Sequence, residues 1–242
     1  MYHCVETSNK KRMNILITGA SKGIGFDTVL RLAEDPENRI LALSRDEAGL
    51  QQLVQRATLG NVDYVVFDIT KPNWASLLQK LEMLDCVDVL LNNAGLLINK
   101  PFRELSTRDW ERTFATNVFG VVELIRMLLP YLEKSKKAHI VNISSMGGVQ
   151  GSSKFPGLAA YSASKAALAN LTECLAEEWK AQNIAVNCLA FGAVQTEMLE
   201  AAFPGYQAPL GSMEMAEWVA WFCVNGQRFF NGKILPVSVS TP

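Results

Sequence analysis

The chain has 242 residues, 49% hydrophobic and 19% charged, with a formal net charge of −1. That length and balance specify one globular unit with a sizeable core and exclude a disordered chain. The near-neutral charge, with no Lys/Arg cluster interleaved with aromatics, excludes nucleic acid and an anionic membrane surface as partners. Cys4, Cys86, Cys174, Cys188 and Cys223 form no CxxC pair and read as reduced thiols of a cytoplasmic protein. His3 and His139 stand apart, so no metal site is expected. No apolar run reaches membrane-spanning length. Residues 1–12 are a polar leader without the apolar stretch of a signal peptide, and the domain is expected over 13–242.

Taken in order, strands and helices alternate. Residues 14–18 form an apolar strand, followed by a Gly-rich turn and a helical pattern over 24–34. A second strand at 39–44 leads to a helix over 46–57, which Asp46 can cap. Further strands are expected at 62–67, 87–91, 139–144, 184–190 and 233–237, and further helices at 74–83, 107–132, 158–182 and 213–223. The Gly and Pro positions from Gly192 to Gly211 read as a loop. Buried β-branched runs separated by helices predict an α/β fold: a doubly wound, seven-stranded parallel sheet with helices on both faces.

The first turn reads Thr18-Gly19-Ala20-Ser21-Lys22-Gly23-Ile24-Gly25. Glycines there allow a tight turn and close approach to a pyrophosphate, with the N-terminus of the next helix facing the anion. An ordinary strand–helix turn is the alternative reading. The G-x-x-x-G-x-G spacing of Gly19, Gly23 and Gly25 resembles the short-chain dehydrogenase/reductase family in its compact form. Asn92-Asn93-Ala94-Gly95 and Tyr161-Ser162-Ala163-Ser164-Lys165 resemble that family's NNAG and Y-x-x-x-K motifs. The likeness runs from about residue 13 to 237.

The resemblance implies a Rossmann fold and a nicotinamide cofactor bound by Gly19, Ser21, Lys22, Gly23, Ile24, Gly25, Asp68, Ile69, Asn93, Ala94 and Gly95, then Gly192, Val194 and Thr196 further on. NAD-selective relatives carry an acid at the end of strand 2. Here Ser44 stands in its place and Arg45 follows, with Lys22 nearby. Those cations suit a 2′-phosphate, so NADP(H) is expected. Asp46 is the counter-evidence, unless it caps its helix. Asp68 matches the aspartate beside the adenine, or else caps the next helix.

The resemblance places the reaction at Asn117, Ser145, Tyr161 and Lys165, with Ser144 the alternative to Ser145. Tyr161 and Lys165 share one helix face. Moving a phenol pKa from about 10 to near 7 takes roughly 4 kcal/mol. One ammonium at about 4 Å supplies about that at an effective dielectric of ~20. Lys165 is therefore expected to tune Tyr161 with little help. Ser145 would act as an oxyanion donor, and Asn117 would position a water linking Lys165 to solvent.

The implied reaction interconverts a carbonyl and a secondary alcohol by hydride transfer, with Tyr161 as general acid and base. The apolar stretch carrying Met198, Leu199, Phe203, Pro204, Tyr206 and Pro209 suggests a small or medium apolar substrate. Reduction of 3-oxoacyl groups on acyl carrier protein is an alternative, as is a silent NADP-binding sensor or scaffold. The two long helices imply a homodimer or homotetramer. The chain departs from the family pattern in three places. Ser145 and Tyr161 lie further apart than usual, with the extra length in 147–157. Phe191-Gly192 replaces Pro-Gly, and Val237-Ser238-Val239-Ser240 lacks the Asp-Gly-Gly ending.

Overall fold

The computed structural model describes residues 12–239. Most of the leader, with His3 and Cys4, lies outside the described residues. Seven parallel strands form the central sheet: β1 (Met13–Thr18), β2 (Asn38–Ser44), β3 (Val62–Val66), β4 (Val89–Asn92), β5 (Ala138–Ser145), β6 (Ile184–Phe191) and β9 (Ile234–Val237). Their spatial order is β3-β2-β1-β4-β5-β6-β9. The order reverses beside β1, so a crevice opens at the C-terminal ends of β1 and β4.

Both faces of the sheet are covered. Side chains alternate along a strand, so Ile15 and Ile17 point to one face while Leu16 points to the other. On the first face Ile15 and Ile17 join Val29 and Leu32 of α1 (Gly23–Ala33), Leu50 and Leu53 of α2 (Glu47–Arg56), and Val219 and Phe222 of α8 (Ser212–Asn225). On the second, Leu16 joins Leu77 and Leu81 of α3 (Trp74–Leu81), Leu124 and Leu128 of α5 (Gly120–Leu132), and Leu168 of α6 (Ala159–Glu178). Two apolar cores around one sheet explain why the strands read as nearly continuous hydrophobic runs.

The helix expected over 107–132 is continuous but not uniform. It begins as α4 (Thr107–Phe114), capped by a reciprocal Ser106–Asp109 box. It widens into one π-type turn at Ala115–Phe119 and continues as α5. By length and composition alone this segment could cross a membrane. Here Val121, Leu124, Ile125, Leu128 and Leu132 are buried against the sheet, and Glu111, Arg112, Glu123 and Arg126 break its apolar character.

The stretch read as a loop contains regular structure. Two short strands, β7 (Val194–Gln195) and β8 (Leu210–Gly211), pair in parallel. Between them stands α7 (Glu197–Ala202), whose first turn Thr196 caps by accepting a hydrogen bond from Leu199 N. Gly205 has a φ of +81°, and the prolines and glycines punctuate this segment without unwinding all of it.

Candidate active site

A single cleft of about 720 Å³ runs along the C-terminal ends of the strands, from Ser44 and Arg45 to Ser145 and Tyr161. The Gly-rich turn forms one wall. Gly19 and Gly23 have φ values of +67° and +57°, a region that favours glycine. A Cβ at Gly19 would lie 2.9 Å from the Ala94 Cα, and one at Gly25 would collide with the Gly19 carbonyl oxygen. Lys22 stands at the N-cap of α1 and offers no side-chain cap, so the first-turn amides face the cleft unscreened. This cradle fits a pyrophosphate, because backbone can approach where a side chain cannot. Ser21, Lys22, Gly23 and Ile24 all line it.

Asn93 holds the cradle from the other side. Its Nδ2 donates to Thr18 O (3.1 Å) and Gly19 O (3.0 Å), while Thr18 Oγ1 accepts from the amides of Asn93 and Ala94, both at 3.0 Å. Thr18 does not figure in the sequence reading of the site, although its position closing β1 beside the glycines could have flagged it.

At the ribose end, Ser44 Oγ donates to Ser21 Oγ (2.8 Å), and Arg45 lines the cleft. Asp46 also lines the cleft, and its carboxylate accepts a hydrogen bond from Gly49 N at 3.2 Å that caps α2. Asp68 and Ile69 also line the cleft. Asp68 does not cap the next helix; Asn73 does. Burial opposes the charge of Asp68. Hydrogen bonds from the Thr70 hydroxyl (2.7 Å) and amide (2.8 Å), helped by Arg45 and Lys71, outweigh that and hold its pKa low. Lys22, which lines the same cleft, has an ion-pair partner within the chain. It pairs with Glu197 at 2.6 Å, a contact 175 residues apart in sequence that no local pattern could suggest.

Gly192, Val194 and Thr196 line the opposite wall. Phe191 completes β6 in register with Val237, and Gly192 N donates to Val237 O at 3.0 Å, so the turn forms without the proline. A Cβ at Gly192 would collide with the Ser238 hydroxyl.

The far end of the cleft gathers the reactive side chains. Tyr161 and Ser145 share a hydrogen bond, and Ser145 Oγ also accepts from Gly147 N at 3.2 Å. Ser144 points the other way and donates to Lys165 O at 2.8 Å, tying β5 to α6. Of the two serines, only Ser145 meets Tyr161.

Lys165 is 3% exposed and donates from Nζ to Ile143 O at 2.7 Å. That ammonium lies 5.8 Å from the centroid of the Tyr161 ring. The expectation that Lys165 tunes Tyr161 with little help meets an opposing effect of burial in the cofactor-free chain. Burial pushes the phenol up to about 12, only partly offset by the bond to Ser145. Burial likewise pulls Lys165 down to about 8, with the nearby Cys188 thiol opposing the fall.

Asn117 sits in the π-type turn, fully buried. Its Oδ1 accepts from Leu96 N (2.7 Å), and its Nδ2 donates to Leu96 O (2.9 Å) and Ser164 Oγ (2.9 Å). Ser164 in turn donates to Tyr161 O at 2.7 Å. The side chain thus locks the loop after β4 onto the reactive helix. A Cβ at Gly95 would stand 3.5 Å from Lys165 Nζ and 3.6 Å from Asn117 Oδ1, so glycine leaves open the space between the two groups.

The model for the short chain dehydrogenase family matches residues 13–207. The chain belongs to that family. It is an oxidoreductase of a family that binds a nicotinamide cofactor. Among curated relatives, a 3-oxoacyl-[acyl-carrier-protein] reductase of Thermotoga maritima is 34% identical over 189 residues, covering 76% of this chain and 75% of its own. Among solved structures, a 3-ketoacyl-(acyl-carrier-protein) reductase of Brucella melitensis complexed with NADH superposes with a TM-score of 0.84 at 26% identity, covering 94% and 97% of the two chains. A short chain dehydrogenase of Shigella flexneri complexed with NADP gives 0.84 at 28%, covering 93% and 97%.

Proposed function

We propose that this short-chain dehydrogenase interconverts a carbonyl and a secondary alcohol with NADP(H), using Tyr161 as general acid and base. The observation that carries this reading is the Ser145–Tyr161 pair above buried Lys165, at the opposite end of one cleft from Ser44 and Arg45. A nicotinamide cofactor, when bound, supplies or accepts the hydride. The chain does the rest. Tyr161, neutral at physiological pH with its pKa near 12, holds the proton that the carbonyl oxygen needs. Ser145 donates a hydrogen bond where negative charge develops on that oxygen. In this reading Lys165 and Asn117 serve the replacement of the Tyr161 proton, a role that the 5.8 Å between Lys165 Nζ and the centroid of the Tyr161 ring supports.

NADP(H) over NAD(H) is supported by Ser44 and Arg45 at the ribose end and by the role of Asp46 as the cap of α2. Lys22 can add to phosphate recognition once it leaves Glu197. Arg45→Gln is expected to weaken NADPH binding at least tenfold and NADH binding little; equal losses would remove the NADP preference.

The names of the relatives favour a second reading, reduction of 3-oxoacyl groups on acyl carrier protein. NADPH absorbance followed with diketones, quinones, aldehydes and a 3-oxoacyl thioester separates the two, with Tyr161→Phe run alongside. Turnover lost in the variant while NADPH binding persists supports the mechanism. Tight NADPH binding with no turnover on any compound would favour a sensor. We also propose a homodimer or homotetramer built on the long helices.

A further inference from the structure

Three loops wall the reactive end of the cleft, and they are tied to one another. The loop after β4 meets the lid around α7 where Asn99 Nδ2 donates to Ala202 O at 2.7 Å. The same loop meets the long β5–α6 connection where Lys100 N donates to Gly157 O at 3.0 Å. That connection meets the lid through Phe155 and Phe203, whose rings stand edge to face at 6.3 Å and 63°. Phe155 lies within the extra length that separates Ser145 from Tyr161.

The chamber behind these contacts is lined by Leu97, Phe155, Leu158, Leu199, Phe203 and Tyr206, with Ser145 and Tyr161 at its floor. Among the described residues, the one charged side chain lining that end is Lys165, which is buried and bonded to Ile143 O. Three cations on the segments that wall the chamber have partners within the chain. Lys100 pairs with Asp109 at 2.9 Å, Lys154 donates to Val149 O at 2.6 Å and Ser152 Oγ at 2.9 Å, and Arg103 lies 3.6 Å from Glu104. The lid adds Glu200, and Glu197 in its pair with Lys22.

We infer that the substrate is a free, uncharged ketone with a flat apolar body, cyclic or aromatic, and that Phe155 and Phe203 determine this specificity. The inference rests on the carbonyl-reducing reading above. Two rings set edge to face leave a face for a third ring to stack on, which an aliphatic chain uses less well. A carboxylate would lose its hydration in the chamber without gaining a cation. An acidic carrier protein would meet Lys100 and Arg103 already facing carboxylates, and a lid that adds Glu200.

The test compares 1-tetralone, acetoacetate and a 3-oxoacyl group on carrier protein in the parent chain, Phe155→Ala, Phe155→Leu and Phe203→Ala. Folding is checked by thermal unfolding. In the parent, kcat/KM for 1-tetralone should exceed that for the other two at least a hundredfold. Each alanine variant should raise its KM tenfold or more, with NADPH affinity by fluorescence unchanged. Leu at 155 keeps bulk but removes the ring, and should behave like Ala. Comparable turnover of acetoacetate or the carrier-bound substrate, or an unchanged tetralone KM in the variants, overturns the inference. If the parent turns over no ketone, calorimetric binding of 1-tetralone to the NADP⁺-loaded protein decides. Binding weakened by Phe155→Ala leaves the chamber's specificity standing and sinks only the reductase reading. No binding sinks both.

Discussion

Tyr161 and Lys165 illustrate how burial sets the chemistry of single groups. Each is driven toward its uncharged form, the phenol up to about 12 and the ammonium down to about 8. Without cofactor, Tyr161 should therefore show no phenolate below about pH 11. The difference in 295 nm absorbance between the parent and Tyr161→Phe reads this directly, and an ionisation near pH 7 in the cofactor-free protein would contradict it. For Lys165 the folded pKa lies below the unfolded value of 10.5, so the unfolded chain binds the extra proton between about 8 and 10.5. Stability from this group is full above 10.5 and falls as pH drops toward 8. Lys165→Met should remove that slope from denaturant midpoints measured across the window. The serines divide similarly. Ser145→Ala should cut turnover about 10²–10³-fold, as for a lost oxyanion donor, at unchanged stability. Ser144→Ala should leave chemistry nearly intact and cost about 1 kcal/mol through the lost bond to Lys165 O. The sequence left both serines open, because a strand end does not reveal which side chain faces the cleft. The Tyr–Lys spacing was legible since i,i+4 depends only on local geometry, whereas the 5.8 Å separation depends on how Lys165 reaches Ile143.

Elements place those residues, and some owe their form to contacts remote in sequence. Asn117 could be read as an amide in an apolar helix, but not that one π-type turn would aim it at Leu96 and Ser164. The strands and most helices were legible because their periodicity is local. The lid helix was not read, although Glu197-Met-Leu-Glu-Ala-Ala202 consists of good helix formers behind a capping threonine. Buried His139 is another long-range device. Its Nε2 accepts from Asn187 Nδ2 at 3.1 Å, which leaves Nδ1 to donate to Cys223 O at 3.0 Å, joining β5 to α8. That arrangement needs the neutral ring, and burial lowers its pKa to about 4 against only partial help from the Cys223 carbonyl. The contribution is present above about 6.5 and is lost as pH falls toward 4, worth about 3 kcal/mol at ~1.4 per unit. Urea midpoints at pH 7 and 4.5 check it: His139→Gln should start less stable and lose less on acidification. An equal loss would assign the acid sensitivity elsewhere.

At the scale of the molecule, two chains of neighbouring aromatics reach the surface. Half-buried Trp110 and Phe114 of α4 lead to Phe119 in the π-type turn, which is 60% exposed. Trp218, Trp221 and Phe229 stack along α8 and the turn behind it, at ring separations of 5.2 and 6.5 Å. Apolar groups grouped in this way suit self-association better than isolation in water. Light scattering should give a dimer or tetramer for the parent. Phe119→Glu and Trp221→Glu, each placing a charge on one face, should lower that order if the face is used. A monomeric parent would remove the proposed assembly. No periodicity in the sequence marks these faces, because they lie on the side of each helix that the core does not need.

The sheet is parallel throughout, so every strand enters at one edge and leaves at the other. Met13 opens β1 at the edge remote from the cleft, while Val237 and Ser238 close β9 against Gly192 in the cleft wall itself. The two ends of the folded unit are therefore not equivalent handles. A fusion partner or solid support joined ahead of Met13 hangs from the pole opposite the reactive chamber and leaves its mouth open to solutes. The same attachment made just after Ser238 stands beside the wall that Gly192, Val194 and Thr196 build, where it would crowd whatever has to enter.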